Sequence, residues 1–238
     1  MSFFFLAQKL SAFYTLVMSH TSDKKRKSWR IGIAIVIALI IVSFIISNKD
    51  KKIDPASFAG VEVMEPARHV KGNAESGLTL IEYSDFQCPA CKAAEPDISA
   101  LVDQFGDRFE LEYRHFPLRS IHPNAQIGAQ AAEAAGLQGK FWEMHDILFE
   151  KQDEWSQSFN PQRYLEEYAI EIGINADRFM FDLESDLIKG IVNSHFDEAM
   201  ALKLPGTPAF VFNGEQVDIN AFVNENLIVS EEIETVEE

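Results

Sequence analysis

FQCPACKAAEP, residues 86–96, holds Cys88 and Cys91, the only two cysteines among 238 residues. A Cys-x-x-Cys pair suits three chemistries: a redox couple, half of a zinc site, or an inert structural bridge. Zinc wants four ligands, and the sequence offers no second Cys-x-x-Cys and no clustered pair of histidines to complete them. A structural bridge is compatible with an exported chain, but closing so small a loop stabilises little by the chain-entropy argument.

The flanking residues bear on the choice. LTLIEY, Leu78 to Tyr83, is a β-rich run that ends five residues before Cys88. Pro89 suits the first turn of a helix, and residues 89–105 have a helical composition. Cys88 is then expected at the helix N-terminus and exposed, with Cys91 one turn further on and covered. A thiolate at Cys88 gains from the unpaired N–H groups and the helix dipole. Cysteines so placed commonly titrate at about 3.5 to 7.5 instead of about 8.5. That is roughly 1.4 to 7 kcal/mol in favour of the thiolate, and a helix terminus contributes at most about 2. Direct hydrogen bonds to the sulfur must supply the remainder, so the dipeptide Pro89-Ala90 is a tuning element. FELEYRHF, Phe109 to Phe116, alternates apolar and polar residues and reads as a second strand, completing a β-α-β unit.

Residues 120–203 are helical in pattern. Pro123 sits at a helix start and Gly136 just past its end. KFWEMHDILFEK presents an apolar face of Phe141, Met144 and Leu148, and Asn160-Pro161 opens a helix that stops near Gly173. PAFVFNGEQV then reads as a hairpin turning at Asn213-Gly214. A short helix from about Asp218 and an acidic tail, residues 229–238, follow. The pattern is an α/β domain over 77–228 with four or five strands and a helical insertion at about 120–203.

Charge divides the chain. Residues 1–50 carry 7 Lys and Arg against 2 Asp and Glu, and the remainder carries 14 against 35. A segment that acidic repels phosphate backbones, so nucleic acid is not an expected partner. IGIAIVIALIIVSFIIS, residues 31–47, runs for 17 residues without a charge, close to the lower limit of about 17 to 25 for a transmembrane helix. The cationic flank KKRKSWR, Lys24 to Arg30, holds residues 1–30 in the cytoplasm and sends the rest across. An uncleaved single-pass anchor is the favoured reading over a cleaved signal peptide, since no small-x-small site follows the run directly. The first 18 residues read as a second short span, an interfacial helix, or the product of a start placed upstream of Met18. Residues 48–76 read as a linker leading into the fold, with one short strand over Val61 to Val63.

EYSDFQCPAC with Pro96, then YRHFPL, then FWEMHDILFEKQ, then GTPAFVFNG together resemble the DsbA-like branch of the thioredoxin superfamily over roughly residues 60–228. The resemblance implies a thioredoxin-like fold carrying an inserted helical domain, preceded here by the N-terminal transmembrane helix. It makes Cys88 the attacking cysteine and Cys91 the resolving one. Pro96 matches the proline that kinks the active-site helix, Thr207-Pro208 the pair with a cis-proline beside the disulfide, and Glu82 a buried acid. Ala90 departs from the CPHC of the best-known members, because alanine has no side-chain donor where histidine has one. The implied activity is thiol–disulfide exchange without metal or organic cofactor, most directly the oxidation of exported proteins with reduced cysteines. A membrane quinone-linked reoxidant of the DsbB or vitamin-K-epoxide-reductase type is implied as partner.

Glu82 shares a strand face with Leu78 and Leu80, which suits a buried acid able to take the Cys91 proton; an exposed strand-end carboxylate is the competing reading. His115 and His145 read as packing or hydrogen-bonding residues. Two other functions stay open, a reductase or isomerase built on the same pair, and a holdase whose disulfide is incidental.

Overall fold

The computed structural model describes residues 68–228, together with Ile33 and Val36. Ile33 and Val36 are helical. The rest of the expected anchor, the segment 1–30, the strand at 61–63 and the acidic tail lie outside the described residues. Among the described residues no helix is long and apolar enough to cross a membrane.

Five strands form one sheet in the order β1-β3-β2-β4-β5. They are β1 (His69–Gly72), β2 (Thr79–Ser84), β3 (Glu110–His115), β4 (Ala209–Phe212) and β5 (Glu215–Val217). β2 and β3 run parallel, with Glu82 opposite Tyr113 and Ser84 opposite His115, and the other pairs are antiparallel. Helix α1 (Pro89–Phe105) makes the crossover between β2 and β3. The hairpin turns where the Asn-Gly signal places it, with φ of 51° at Asn213 and 82° at Gly214. Two successive positive φ values match the twist of the strands they join.

The fold begins earlier than the sequence pattern indicates. β1 lies inside the stretch 48–76 read as linker, because HVKG has neither the length nor the periodicity that marks a strand. Tertiary pairing makes it one: its four residues align with Tyr113 through Glu110 of β3. Likewise, Glu110 and Glu112 of β3 are not the solvent face that alternation suggests. Both are buried, paired with Arg68, and Arg114 donates to Glu112 at 2.8 Å. Buried carboxylates are tolerated when paired in this way.

The insertion comprises α2 (Ala125–Gly136), α3 (Phe141–Glu150), α4 (Gln152–Trp155), α5 (Pro161–Glu171), α6 (Ala176–Leu183) and α7 (Asp186–Ala201). Gly136 closes α2 from within, and Leu137 is its C-cap. The insertion core packs Met144, Leu148, Trp155, Leu165 and Phe179 against the alanines of α2, and it reaches Phe86, Cys91 and Tyr113 of the thioredoxin half. One core therefore serves both halves at the cysteines. On one sheet face Leu80, Leu111 and Phe210 meet Ile98 and Phe105 of α1, and on the other Tyr83 and Val211 meet Ala199 of α7. A short helix α8 (Ile219–Phe222) and a π-helical turn, Val223–Ile228, follow β5.

Within the insertion a close joint lies at Gly128 of α2, where an added Cβ would stand 2.6 Å from the ring of fully buried Trp155. Gly128→Ala is expected to destabilise the protein by about 1–3 kcal/mol through overpacking, read as a lowered melting temperature.

Candidate active site

Helix α1 starts where its sequence requires. Cys88 is the N-cap, with φ −73° and ψ 122°, and Pro89 follows in the first turn. Pro96 lies inside the helix and, lacking an N–H, leaves the carbonyl four residues back without its helical donor. Pro89 and Ala90 are exposed between the cysteines.

The loop that delivers Cys88 is pinned from three sides. Asp85 accepts from the backbone N–H of Gln87 (2.8 Å) and of Leu118 (2.9 Å), and it pairs with His122 Nδ1 (2.7 Å). The Gln87 side chain donates to the Ser156 carbonyl (2.6 Å) and accepts from the Asn124 N–H (2.7 Å). Gln152 of α4 donates to the carbonyls of Phe86 (2.8 Å) and Cys88 (3.0 Å). Sequence reasoning missed Asp85, Gln87 and Gln152. The only local signal was that the short loop of a β-α unit spends two polar residues, Asp85 and Gln87, which are both buried.

Contrary to expectation, Cys88 is not openly exposed. It is 6% accessible and Cys91 1%, because α4 and the Thr207-Pro208 segment close over the helix end. The Thr207-Pro208 peptide bond is cis, and the Thr207 carbonyl accepts from the Cys88 thiol at 3.5 Å.

The two sulfurs differ sharply in acidity. The Cys91 thiol beside Cys88, helped by the backbone N–H groups of Cys91 and Ala90, overcomes burial and brings Cys88 down to about 5. Burial, reinforced by the Cys88 sulfur, pushes Cys91 far above the ordinary thiol range. The hydroxyls of Ser84, Tyr113 and Thr207 are buried with no hydrogen-bond partner in the described structure. Glu82 is 2% exposed, which settles the competing reading in favour of a buried acid. Burial first, and the charge of Glu95 second, raise its carboxyl to about 8. It lies beside Tyr113, its register partner, whose hydroxyl feels the charges of both Glu82 and Cys91. The site therefore offers one thiolate at neutral pH, one protonated thiol, and one buried carboxyl still holding its proton.

His115 and His145 are buried, as their patterns indicate, and neither touches the cysteines by hydrogen bond. His115 pairs with Glu133 (2.8 Å), and His145 with Asp146 (2.8 Å). His69, His115 and His195 gather around Glu133, however, so histidines far apart in sequence do cluster.

Two measurements check these assignments. Thiolate absorbance of the reduced protein is expected to titrate with a midpoint near pH 5 from Cys88 alone, with Cys91 silent to well above pH 9. Glu82 binds its proton more tightly folded than unfolded, so its contribution to stability falls as pH rises from about 4.5 to 8. Glu82→Gln is expected to remove that fall, stabilising the protein by on the order of 3 kcal/mol at pH 7 and little below pH 4 in denaturant titrations.

Comparison with known proteins agrees with this geometry. A family model described as Thioredoxin matches residues 64–226. A thioredoxin-like oxidoreductase from Silicibacter pomeroyi superposes with a TM-score of 0.57 at 25% identity, over 71% of this chain and 94% of that one. BdbD from Bacillus subtilis gives 0.57 at 22% identity, over 74% and 97%. The Na(+)/H(+) antiporter NhaA 3 of Salinispora tropica is 41% identical over 155 residues, which are 64% of this chain and 23% of the antiporter. The chain thus spans about a quarter of the length of that curated relative. With its five-stranded sheet, its Cys-x-x-Cys helix and its helical insertion, the chain belongs to the thioredoxin family in the DsbA-like form.

Proposed function

We propose that this thiol–disulfide oxidoreductase works as an oxidase, passing a Cys88-Cys91 disulfide to exported proteins that carry reduced cysteines. The feature that carries the reading is the N-cap placement of Cys88, whose pKa is lowered by the Cys91 thiol and the free backbone N–H groups, beside the buried Cys91, whose pKa is raised. Stabilising the Cys88 thiolate stabilises the reduced enzyme, which makes the disulfide a stronger oxidant. At pH 7 only the span between about 5 and 7 counts, worth at most roughly 2.7 kcal/mol or about 60 mV, less what solvent screens at the rim of the site.

A substrate thiolate attacks Cys88 Sγ; the Cys88–Cys91 bond breaks and its electron pair leaves on the Cys91 sulfur. That sulfur is a poor anion in its buried place and takes a proton, for which Glu82 is the nearby acid. A second substrate thiolate then attacks the substrate sulfur of the mixed disulfide and expels Cys88 as thiolate. Two electrons have moved to the enzyme; Cys91 holds the proton from Glu82, Glu82 regains one from solvent, and of the two substrate thiol protons one is thus retained and the other released. In reoxidation Cys91 is the attacking thiol, and Glu82 first gives its proton to solvent and then receives that of Cys91. Beside Pro208, a groove of about 410 Å³ lined by Phe210, Gln216, Val217 and Ile219 suits an extended substrate segment. Thr207 offers that segment its backbone.

The apolar run 31–47 and its cationic flank support a single-pass anchor with the thioredoxin domain on the extracytoplasmic side. A membrane quinone-linked protein of the DsbB or vitamin-K-epoxide-reductase type is the proposed reoxidant, since the chain has no further cysteine to relay electrons.

Titration in glutathione buffers tests the direction. A potential near or above about −180 mV is expected, and one near about −270 mV makes the protein a reductase. Because reduction yields one thiolate and one thiol, the potential is expected to fall by about 30 mV per pH unit above pH 5 and about 59 mV below it. Cys88→Ser is expected to abolish oxidation of a reduced secreted substrate; retained activity rejects redox function altogether.

A further inference from the structure

Where the sheet meets the insertion, four elements converge on one carboxylate. Glu133 of α2 is 3% exposed, and its Oε1 lies 2.8 Å from Nε2 of His115 at the end of β3. Both carboxylate oxygens stand 3.1 Å from Nε2 of His69 on β1. His195 of α7 stacks on His115 with ring centroids 5.6 Å apart, and its Nδ1 is 3.4 Å from the His115 backbone N. One donor atom from each of His115, Glu133 and His195 lies within 4.8 Å of the other two. The other ring nitrogen of His115, Nδ1, is buried with no hydrogen-bond partner among the described residues.

We propose that His115, Glu133 and His195 bind one divalent transition-metal ion of the zinc class, with the His69 ring hydrogen-bonded to Glu133 and holding its carboxylate in place. Two imidazoles and a carboxylate are a donor set that such ions accept. Donors about 2.1 Å from a common zinc stand roughly 3 to 3.5 Å apart, so the 2.8 Å hydrogen bond between His115 Nε2 and Glu133 has to open slightly as the ion takes the place of its proton. His195, partly exposed on α7, keeps a donor atom within 4.8 Å of the other two and moves closer to complete the set. The guanidinium of Arg114, which acts on His195, is itself paired with Glu198 at 2.7 Å. Ligands from β3, α2 and α7 make the ion a clamp between the two halves of the domain. The proposal is independent of the thiol chemistry.

The test uses the full-length chain, free of any affinity tag, stripped with EDTA and oxidised so that neither cysteine sulfur is available as a ligand. Zn²⁺ uptake is followed by calorimetry, Co²⁺ by visible absorption, and the melting temperature is recorded with and without metal. One saturable equivalent, Co²⁺ ligand-field bands and a raised melting temperature are expected, with affinity falling at least about tenfold in His195→Ala and in Glu133→Gln. The partly exposed His195 makes its variant the decisive one if Glu133→Gln does not fold. No saturable uptake, or uptake unchanged in His195→Ala, overturns the proposal.

Discussion

The point at which helix α1 begins governs the whole site. A thiolate gains from a helix N-terminus only if its sulfur lies within reach of the first free N–H groups, and that advantage falls off within one turn. Residue 88 must therefore be the N-cap, not the residue before or after it. Pro89 fixes the start chemically, since it can occupy the first turn and fits poorly beyond it. Asp85, Gln87 and Gln152 fix it in space by using up the polar groups of the loop. Gln152 comes from the insertion, so the helical block sets the geometry of the cysteines as well as covering them.

The same neighbourhood contains a conflict between stability and chemistry. A carboxyl buried without a cation destabilises the fold at neutral pH, and hydroxyls without partners add to the cost. Glu82, Ser84 and Tyr113 meet that description within two adjacent strands. Elsewhere the sheet satisfies its buried acids, as at Glu112 with Arg68 and Arg114 and at Glu133 with two histidines. The contrast between Glu82 and these paired acids sets the region behind Cys91 apart, which is what the proposed proton exchange with Cys91 calls for.

Much of the architecture could be read from local chemistry. The cysteine helix, the Asn-Gly hairpin, the Asn160-Pro161 helix start and the insertion all carry their signals within a few residues. What escaped depends on contacts between distant segments. HVKG is a strand only because β3 aligns it, and Glu110 is buried only because Arg68 reaches over it. The burial of Cys88 depends on α4, more than sixty residues away, and the histidine cluster draws on residues 69, 115 and 195. Spacing rules assign residues to faces; they do not say what another element will bring to that face.

The sheet is open, and its two rims are treated differently from its centre. β1 ends at Gly72, with φ of 90°, where a side chain would run into the Phe109 carbonyl at 2.4 Å, so the strand stops after four residues. β5 is three residues long and presents exposed Glu215 and Gln216. Short, charged rims are poor templates for strand addition from another chain. If the clients are incompletely folded polypeptides, as the proposed function requires, short rims of this kind restrict where such a client attaches. Strand addition along the sheet edges is then disfavoured, and the groove beside Pro208 is left as the place for an extended segment.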